Sequence, residues 1–74
     1  MPLINVRLIQ GVFNDDEKAQ MIEKLTDTMV EIEGENMRGV TWVVLEEVKS
    51  GDWGIGGQAL TTDAVKSLKA GVAA

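Results

Sequence analysis

The chain has 74 residues, a net charge of −5 from seven Lys+Arg against twelve Asp+Glu, and neither cysteine nor histidine. That length makes one domain, over 1–74, and the missing residue types exclude disulfides, thiolate catalysis, Cys-based zinc sites and histidine acid/base chemistry. The acidic balance without a basic stripe argues against a nucleic-acid partner, and no metal or cofactor is expected.

The opening segment Pro2-Leu3-Ile4-Asn5-Val6-Arg7-Leu8-Ile9 reads as a strand. Ile4, Val6 and Leu8 alternate onto one face, and Leu3, Asn5, Arg7 and Ile9 take the other. That second face is half polar, which suits an oligomer contact or a pocket lining. Gly11 ends the strand, and Asn14-Asp15-Asp16-Glu17 starts a helix: Asn14 caps, Glu17 completes a capping box, and the acids favour the positive dipole end. Ala19, Ile22, Leu25, Met29 and Ile32 form one apolar stripe, and Gly34 is the stop, so the helix is expected over about Asp15 to Glu33.

A loop containing Asn36, Arg38 and Gly39 leads to a second strand, Val40 to Val48, whose β-branched, nearly continuous apolar character predicts burial on both faces, Trp42 included. Strand, helix and strand with short connections predict a right-handed crossover and a parallel pair. One helix cannot cover both faces of such a sheet, so a chain this small is expected to associate with copies of itself. The glycine-rich segment Lys49 to Gln58 surrounds Trp53 and suits a tight turn or hairpin. Thr62-Asp63 is expected to cap a short last helix through Leu68, after which the alanine- and glycine-bearing tail to Ala74 reads as frayed. The longest apolar run, Val40 to Leu45, is too short to cross a membrane. The amino terminus shows no signal-peptide pattern, so a soluble cytoplasmic protein is expected.

Among groups that carry chemistry, Pro2 stands first. Methionine before a small second residue is normally removed, which exposes a secondary amine at the start of a strand. A free α-amino group titrates at about pH 8. Apolar surroundings disfavour the cation, so part of such an amine is neutral base near pH 7. The neutral amine is also a nucleophile able to form an iminium with a carbonyl. If Met1 is retained, the nitrogen is a tertiary amide and this chemistry is closed.

Pro2-Leu3-Ile4 opening a strand, Gly11 closing it, an amphipathic helix, a valine-rich strand and then Trp53-Gly54-Ile55-Gly56-Gly57 together resemble the 4-oxalocrotonate tautomerase family. The likeness extends over roughly Pro2 to Leu60. It implies an α+β fold, a β-α-β protomer with parallel strands (core about 2–60, a short C-terminal helix and tail over 61–74) whose sheets continue across subunits, usually in a hexamer. It also implies an isomerase, active without a cofactor, whose processed proline moves a proton between carbons of an enol or dienol of a small carbonyl acid.

Two family arginines are missing from this pattern. Val12 stands directly after the strand-ending glycine, and Thr41 stands in the second strand. Neither can make a bidentate, charge-assisted contact to a carboxylate. Arg7 and Arg38 are the candidates to replace them, with an intersubunit ion pair or plain solvation as their bland alternatives. Trp53 is expected to wall the pocket with Leu3 and Ile9, and Asn5 and Gln58 are weaker polar candidates. Glu46-Glu47 point to opposite strand faces and do not converge. Asp15-Asp16-Glu17 is a cap rather than a metal loop, Gly54 to Gly57 lacks the lysine of a phosphate loop, and Met21, Met29 and Met37 read as packing. Two readings therefore stand: a Pro2-dependent tautomerase acting on a small molecule, and a non-catalytic oligomeric module or arginine-poor subunit of a mixed assembly.

Overall fold

Alternation along the first strand sets the architecture. In β1, Leu3–Ile9, the side chains of Ile4, Val6 and Leu8 are half-buried while Leu3, Asn5 and Arg7 are exposed. The computed structural model describes residues 1–71, so the tail from residue 72 to Ala74 lies outside the described residues. After β1 come α1 (Asp15–Glu33), a 3₁₀ turn (Glu35–Val40), β2 (Trp42–Val48), β3 (Trp53–Ile55), β4 (Gln58–Leu60) and α2 (Thr62–Lys69). β1 and β2 pair in parallel, as the strand–helix–strand order predicts, and β3 and β4 form a separate antiparallel pair. The chain groups into two compact units. One holds Met1–Val6 with Asn14–Glu46, and the other holds Arg7–Phe13 with the residues from Glu47 onward.

In the first unit, α1 has the boundaries that its caps dictate. The Asn14 side chain accepts from the Glu17 N–H at 2.8 Å, and the Glu17 carboxylate accepts from the Asn14 N–H at 3.0 Å, a complete capping box. Gly34, at φ 103°, ends the helix while its N–H donates to the Val30 carbonyl. The covered face of α1 differs from the expected stripe. Val30 is its buried residue, with Met21, Leu25 and Met29 half-buried, whereas Ala19 and Ile22 are exposed and Ile32 is 81% exposed. Apolar residues occur around too much of this helix for spacing alone to single out the face that a two-stranded sheet can cover.

Burial of β2 on both faces is corrected in the same way. Val43 and Leu45 are half-buried, but Trp42 is 55% exposed and Val44 is also exposed, so Trp42 is not a core residue of the chain. A single helix covers a single sheet face, and the outward face carries Leu3, Asn5, Trp42, Val44 and Glu46. The Asn5 amide donates to Glu46 across that face at 2.8 Å. Val40 belongs to the 3₁₀ turn rather than to the strand, which begins at Trp42, where the backbone N–H donates to the Pro2 carbonyl at 3.0 Å.

The second unit is held by backbone and hydroxyl bonds. The Gln10 N–H donates to the Val48 carbonyl at 2.7 Å, and the Gly11 N–H donates to the Glu47 carboxylate at 3.2 Å. β3 and β4 face each other with Trp53 opposite Leu60 and Ile55 opposite Gln58. Gly56 and Gly57 join them with φ of 57° and 85°, the pair of positive angles that a two-residue hairpin turn requires. α2 is capped by Thr61, whose hydroxyl accepts from the Ala64 N–H, so the cap lies one residue before the expected Thr62. Thr62 is committed elsewhere: its hydroxyl donates to the Gln10 carbonyl, and its N–H donates to the Ser50 hydroxyl at 2.9 Å.

Replacing Asn14 with alanine removes the half of the capping box made by its side chain and leaves the backbone N–H from which Glu17 accepts. Asn14→Ala should lower stability by about 1 kcal/mol. Urea unfolding should show an earlier midpoint at an unchanged slope, and an unmoved midpoint would leave the box without energetic weight.

Candidate active site

The end of β1, the β3–β4 hairpin and α2 enclose a groove of about 280 Å³ in the second unit. β1 supplies Arg7, Leu8 and Ile9, and Phe13 follows just after it. The hairpin supplies Trp53, Ile55 and Leu60. Trp53 and Ile55 are two apart on one strand and Leu60 is the register partner of Trp53, so all three project from one face of the hairpin. α2 adds Val65 and Leu68, three apart on one helix face.

The joint between β1 and α2 needs glycine at position 11. Gly11 has φ +84°, and a Cβ placed there would lie 3.2 Å from the Thr62 methyl carbon. The close approach of Thr62 to this turn lets its hydroxyl reach the Gln10 carbonyl, and it brings α2 to the groove wall. The Lys69 ammonium lies 5.0 Å from the Phe13 ring centre, in cation–π range. Arg7 and Trp53 also border a second depression of about 320 Å³, completed by Val48, Asp52 and Gly54.

Pro2 and Leu3 belong to the first unit. Pro2 is half-buried and Leu3 is 60% exposed. Arg38, in the same unit, is held by two carboxylates. Its Nε lies 2.8 Å from Glu35 Oε1 and its Nη1 lies 2.8 Å from Asp27 Oδ1. The hydrogen bond from Arg38 keeps the Glu35 carboxyl below its ordinary value, and the two carboxylates, Glu35 first, raise the Arg38 guanidinium above its own. Thr41 has its hydroxyl 2.9 Å from Glu33 Oε1 and 2.8 Å from the Met37 carbonyl. Val12 is 8% exposed.

Of the residues singled out in the sequence, Arg7, Ile9 and Trp53 share one groove, while Arg38 is committed to Asp27 and Glu35. Asn5 is bonded to Glu46, and Gln58 is an exposed hairpin residue. Sequence reasoning missed Leu8, Phe13, Ile55, Leu60, Val65 and Leu68 as lining residues. Two signals pointed to some of them. Phe13 is the sole phenylalanine of the chain, and Val65 and Leu68 repeat at helical spacing. Among the described residues, no group of three or more Asp, Glu, His or Cys side chains is arranged to hold a metal.

Residues 2–63 match the family model described as tautomerase enzyme. The chain belongs to the tautomerase family. A relative in Dickeya dadantii (strain 3937), named probable tautomerase K2, is 34% identical over 61 residues, spanning 82% of this chain and 90% of the relative. Among solved structures, an apo unfused 4-oxalocrotonate tautomerase superposes with a TM-score of 0.71 at 32% identity, covering 80% of this chain and 93% of that one. A 4-oxalocrotonate tautomerase isozyme from Methylibium petroleiphilum gives a TM-score of 0.69 at 29% identity, covering 86% and 97% respectively. This tautomerase thus has the α+β fold of its family, and tautomerisation, an isomerase chemistry, is the function that family membership supports.

The Arg38 clamp carries a pH signature. Since the Glu35 pKa is depressed in the folded chain, the clamp's contribution is present above the ordinary carboxylate range and is lost as pH falls through the lowered value. Carboxyl-detected NMR titration should place the Glu35 midpoint below that of an ordinary glutamate. In Arg38→Gln it should move back up, and an unmoved midpoint would remove Arg38 as the cause.

Proposed function

We propose that this tautomerase moves a proton between carbons of an enol or dienol of a small carbonyl acid, with Pro2 as the general base once Met1 is removed. The neutral ring nitrogen takes a proton from a carbon next to the substrate carbonyl and becomes the ammonium. The electron pair released from carbon delocalises onto the carbonyl oxygen, and the same proton returns at another carbon, so the step is isomerisation with no net change in composition. Arg7, which lines the groove of the second unit, is the proposed partner of the substrate's negative charge. Leu3 is the proposed apolar neighbour that disfavours the ammonium form of Pro2, and Ile9 and Trp53 are proposed to hold the apolar part of a substrate in the groove of their own unit. No cofactor enters this scheme, and a cytoplasmic site of action is part of the same proposal. The observation that carries it is that the family match begins at Pro2 and runs through the hairpin to residue 63.

The proposed working form is a homo-oligomer, a hexamer of sheets joined across subunits. Leu3, Trp42 and Val44 stand exposed on the outward sheet face of the first unit, and an apolar face of that kind is stabilised by a second copy. A non-catalytic or mixed-assembly module is the rival reading. The observation that favours it is that Val12 is buried and the Thr41 hydroxyl is occupied, so neither position offers a cation to a substrate.

Mass spectrometry of the native protein should show Met1 absent. Pro2→Ala should then slow ketonisation of a simple enol by about 10²- to 10⁴-fold, the usual range for a positioned general base. Equal rates in the two proteins would leave the module. On size exclusion the protein should elute as an assembly far above its 8.0 kDa protomer. Trp42→Asp should shift it toward the monomer, and a stable wild-type monomer would refute the association.

A further inference from the structure

We infer that Glu33 is a positioning residue for the Pro2 amine, its unbonded carboxylate oxygen taking a hydrogen bond from the ring nitrogen once Met1 is gone. The inference deepens the proton-transfer reading above and rests on it for its chemistry. Every residue it needs lies in the first unit. The Trp42 N–H donates to the Pro2 carbonyl at 3.0 Å, so Pro2 and Thr41 stand side by side where the parallel pair begins. Neighbouring strands lie about 4.8 Å apart. Alternation turns both residues toward the helix. Pro2 continues the half-buried series of Ile4 and Val6, and Thr41, extended at φ −92° and ψ 119°, continues that of Val43 and Leu45. Leu3 and Trp42 take the outward face.

Glu33, the last residue of α1, is tied to this corner by the Thr41 hydroxyl, which lies 2.9 Å from Oε1 and 2.8 Å from the Met37 carbonyl. The other carboxylate oxygen, Oε2, is buried and has no hydrogen-bond partner. Withdrawing such an oxygen from water without a donor is costly. The charged groups on the surrounding elements do not supply one. From the 3₁₀ turn, Arg38 is held by Glu35 and Asp27. From α1, Asp27 is engaged by that same Arg38 and Glu31 is exposed. From β2, Glu46 is bonded to Asn5 on the opposite sheet face, and the part of β1 in this unit carries no charged side chain. The amine released by loss of Met1 is a donor of the right charge beside the right residue.

Such a pairing assigns the two sides of the ring nitrogen. A neutral secondary amine has one N–H and one lone pair. With the N–H on Oε2, the lone pair points away from the carboxylate and toward a substrate. The proton taken from carbon becomes the second N–H and returns from there, so Glu33 neither gains nor loses a proton over the cycle. The ammonium formed between the two transfers has its counter-charge already in place.

The test uses the full chain with Met1 removed and proline isotopically labelled at nitrogen; Pro2 is the one proline, so its resonance is followed against pH without ambiguity. Glu33→Gln, close to isosteric and still able to bond Thr41, should lower the Pro2 midpoint by about 1 to 3 pH units, the effect of removing an opposite charge at about 4–6 Å. Glu33→Leu should lower it as well, whereas Glu31→Gln, at an exposed position on the same helix, should not. The acidic limb of kcat/KM for ketonisation of a simple enol should move down with the midpoint. A merely structural Glu33 would lower the rate and leave that limb in place. An unmoved midpoint in Glu33→Gln, or an equal fall in Glu31→Gln, would overturn the inference. Pro2→Ala separates the two claims. A midpoint that moves in Glu33→Gln, alongside equal turnover by wild type and Pro2→Ala, would sink the proton-transfer reading alone. Pro2-dependent turnover with an unmoved midpoint would sink the Glu33 pairing alone.

Discussion

A helix can cover one face of a sheet, and in this chain there is one long helix for the β1–β2 pair. The shortage of covering structure shows in the burial pattern. Among the described residues the buried hydrophobic ones are Ile9, Val12 and Val30, while Trp42, Val44 and Leu3 stand exposed on the outward sheet face of the first unit. A chain of 74 residues has too little interior to bury its β-branched strands on both sides. The apolar character of β2 exceeds what the chain's own helix covers, which is the ground of the proposed association, and the polar pair Asn5 and Glu46 lies on the same face.

The second unit meets a different limit, because its hairpin and its short helix are too small to stand by packing alone. Backbone geometry carries them. Two consecutive glycines with positive φ reverse the chain between β3 and β4, the Gly51 N–H donates to the Leu60 carbonyl at 2.8 Å, and Thr62 joins the start of α2 to the Gln10 carbonyl. With those bonds made by main-chain and hydroxyl groups, the apolar side chains of the hairpin and of α2 are left to line the groove rather than to hold the unit together.

What the sequence made legible follows the range of the forces involved. The bounds of α1 were readable because Asn14, Glu17 and Gly34 act within a few residues of themselves. The Gly56-Gly57 reversal was readable for the same reason. The face of α1 that is covered was not, since Ile22 and Ile32 satisfy the helical period as well as Val30 does, and the choice depends on the strands beneath. Burial of β2 was misjudged because apolar composition does not say which elements of the chain are there to cover a face. At the site, Arg7, Ile9 and Trp53 came from the residue pattern and the family resemblance together. Phe13, Val65 and Leu68 needed the Gly11–Thr62 approach, a contact between positions 51 residues apart that no local pattern reports. The occupation of Arg38 by Asp27, 11 residues away, was equally invisible to a one-dimensional reading.

The Thr62 anchor has an evolutionary consequence. It ties α2 to the end of β1 through a main-chain carbonyl and a hydroxyl, so the identities of Leu60, Val65 and Leu68 are decoupled from the attachment of the element that bears them. Divergence at those positions would leave the Gly11 and Thr62 joint intact, so the groove wall can change without loss of the attachment. Leu68, already open to solvent, is the cheapest place for that divergence to begin.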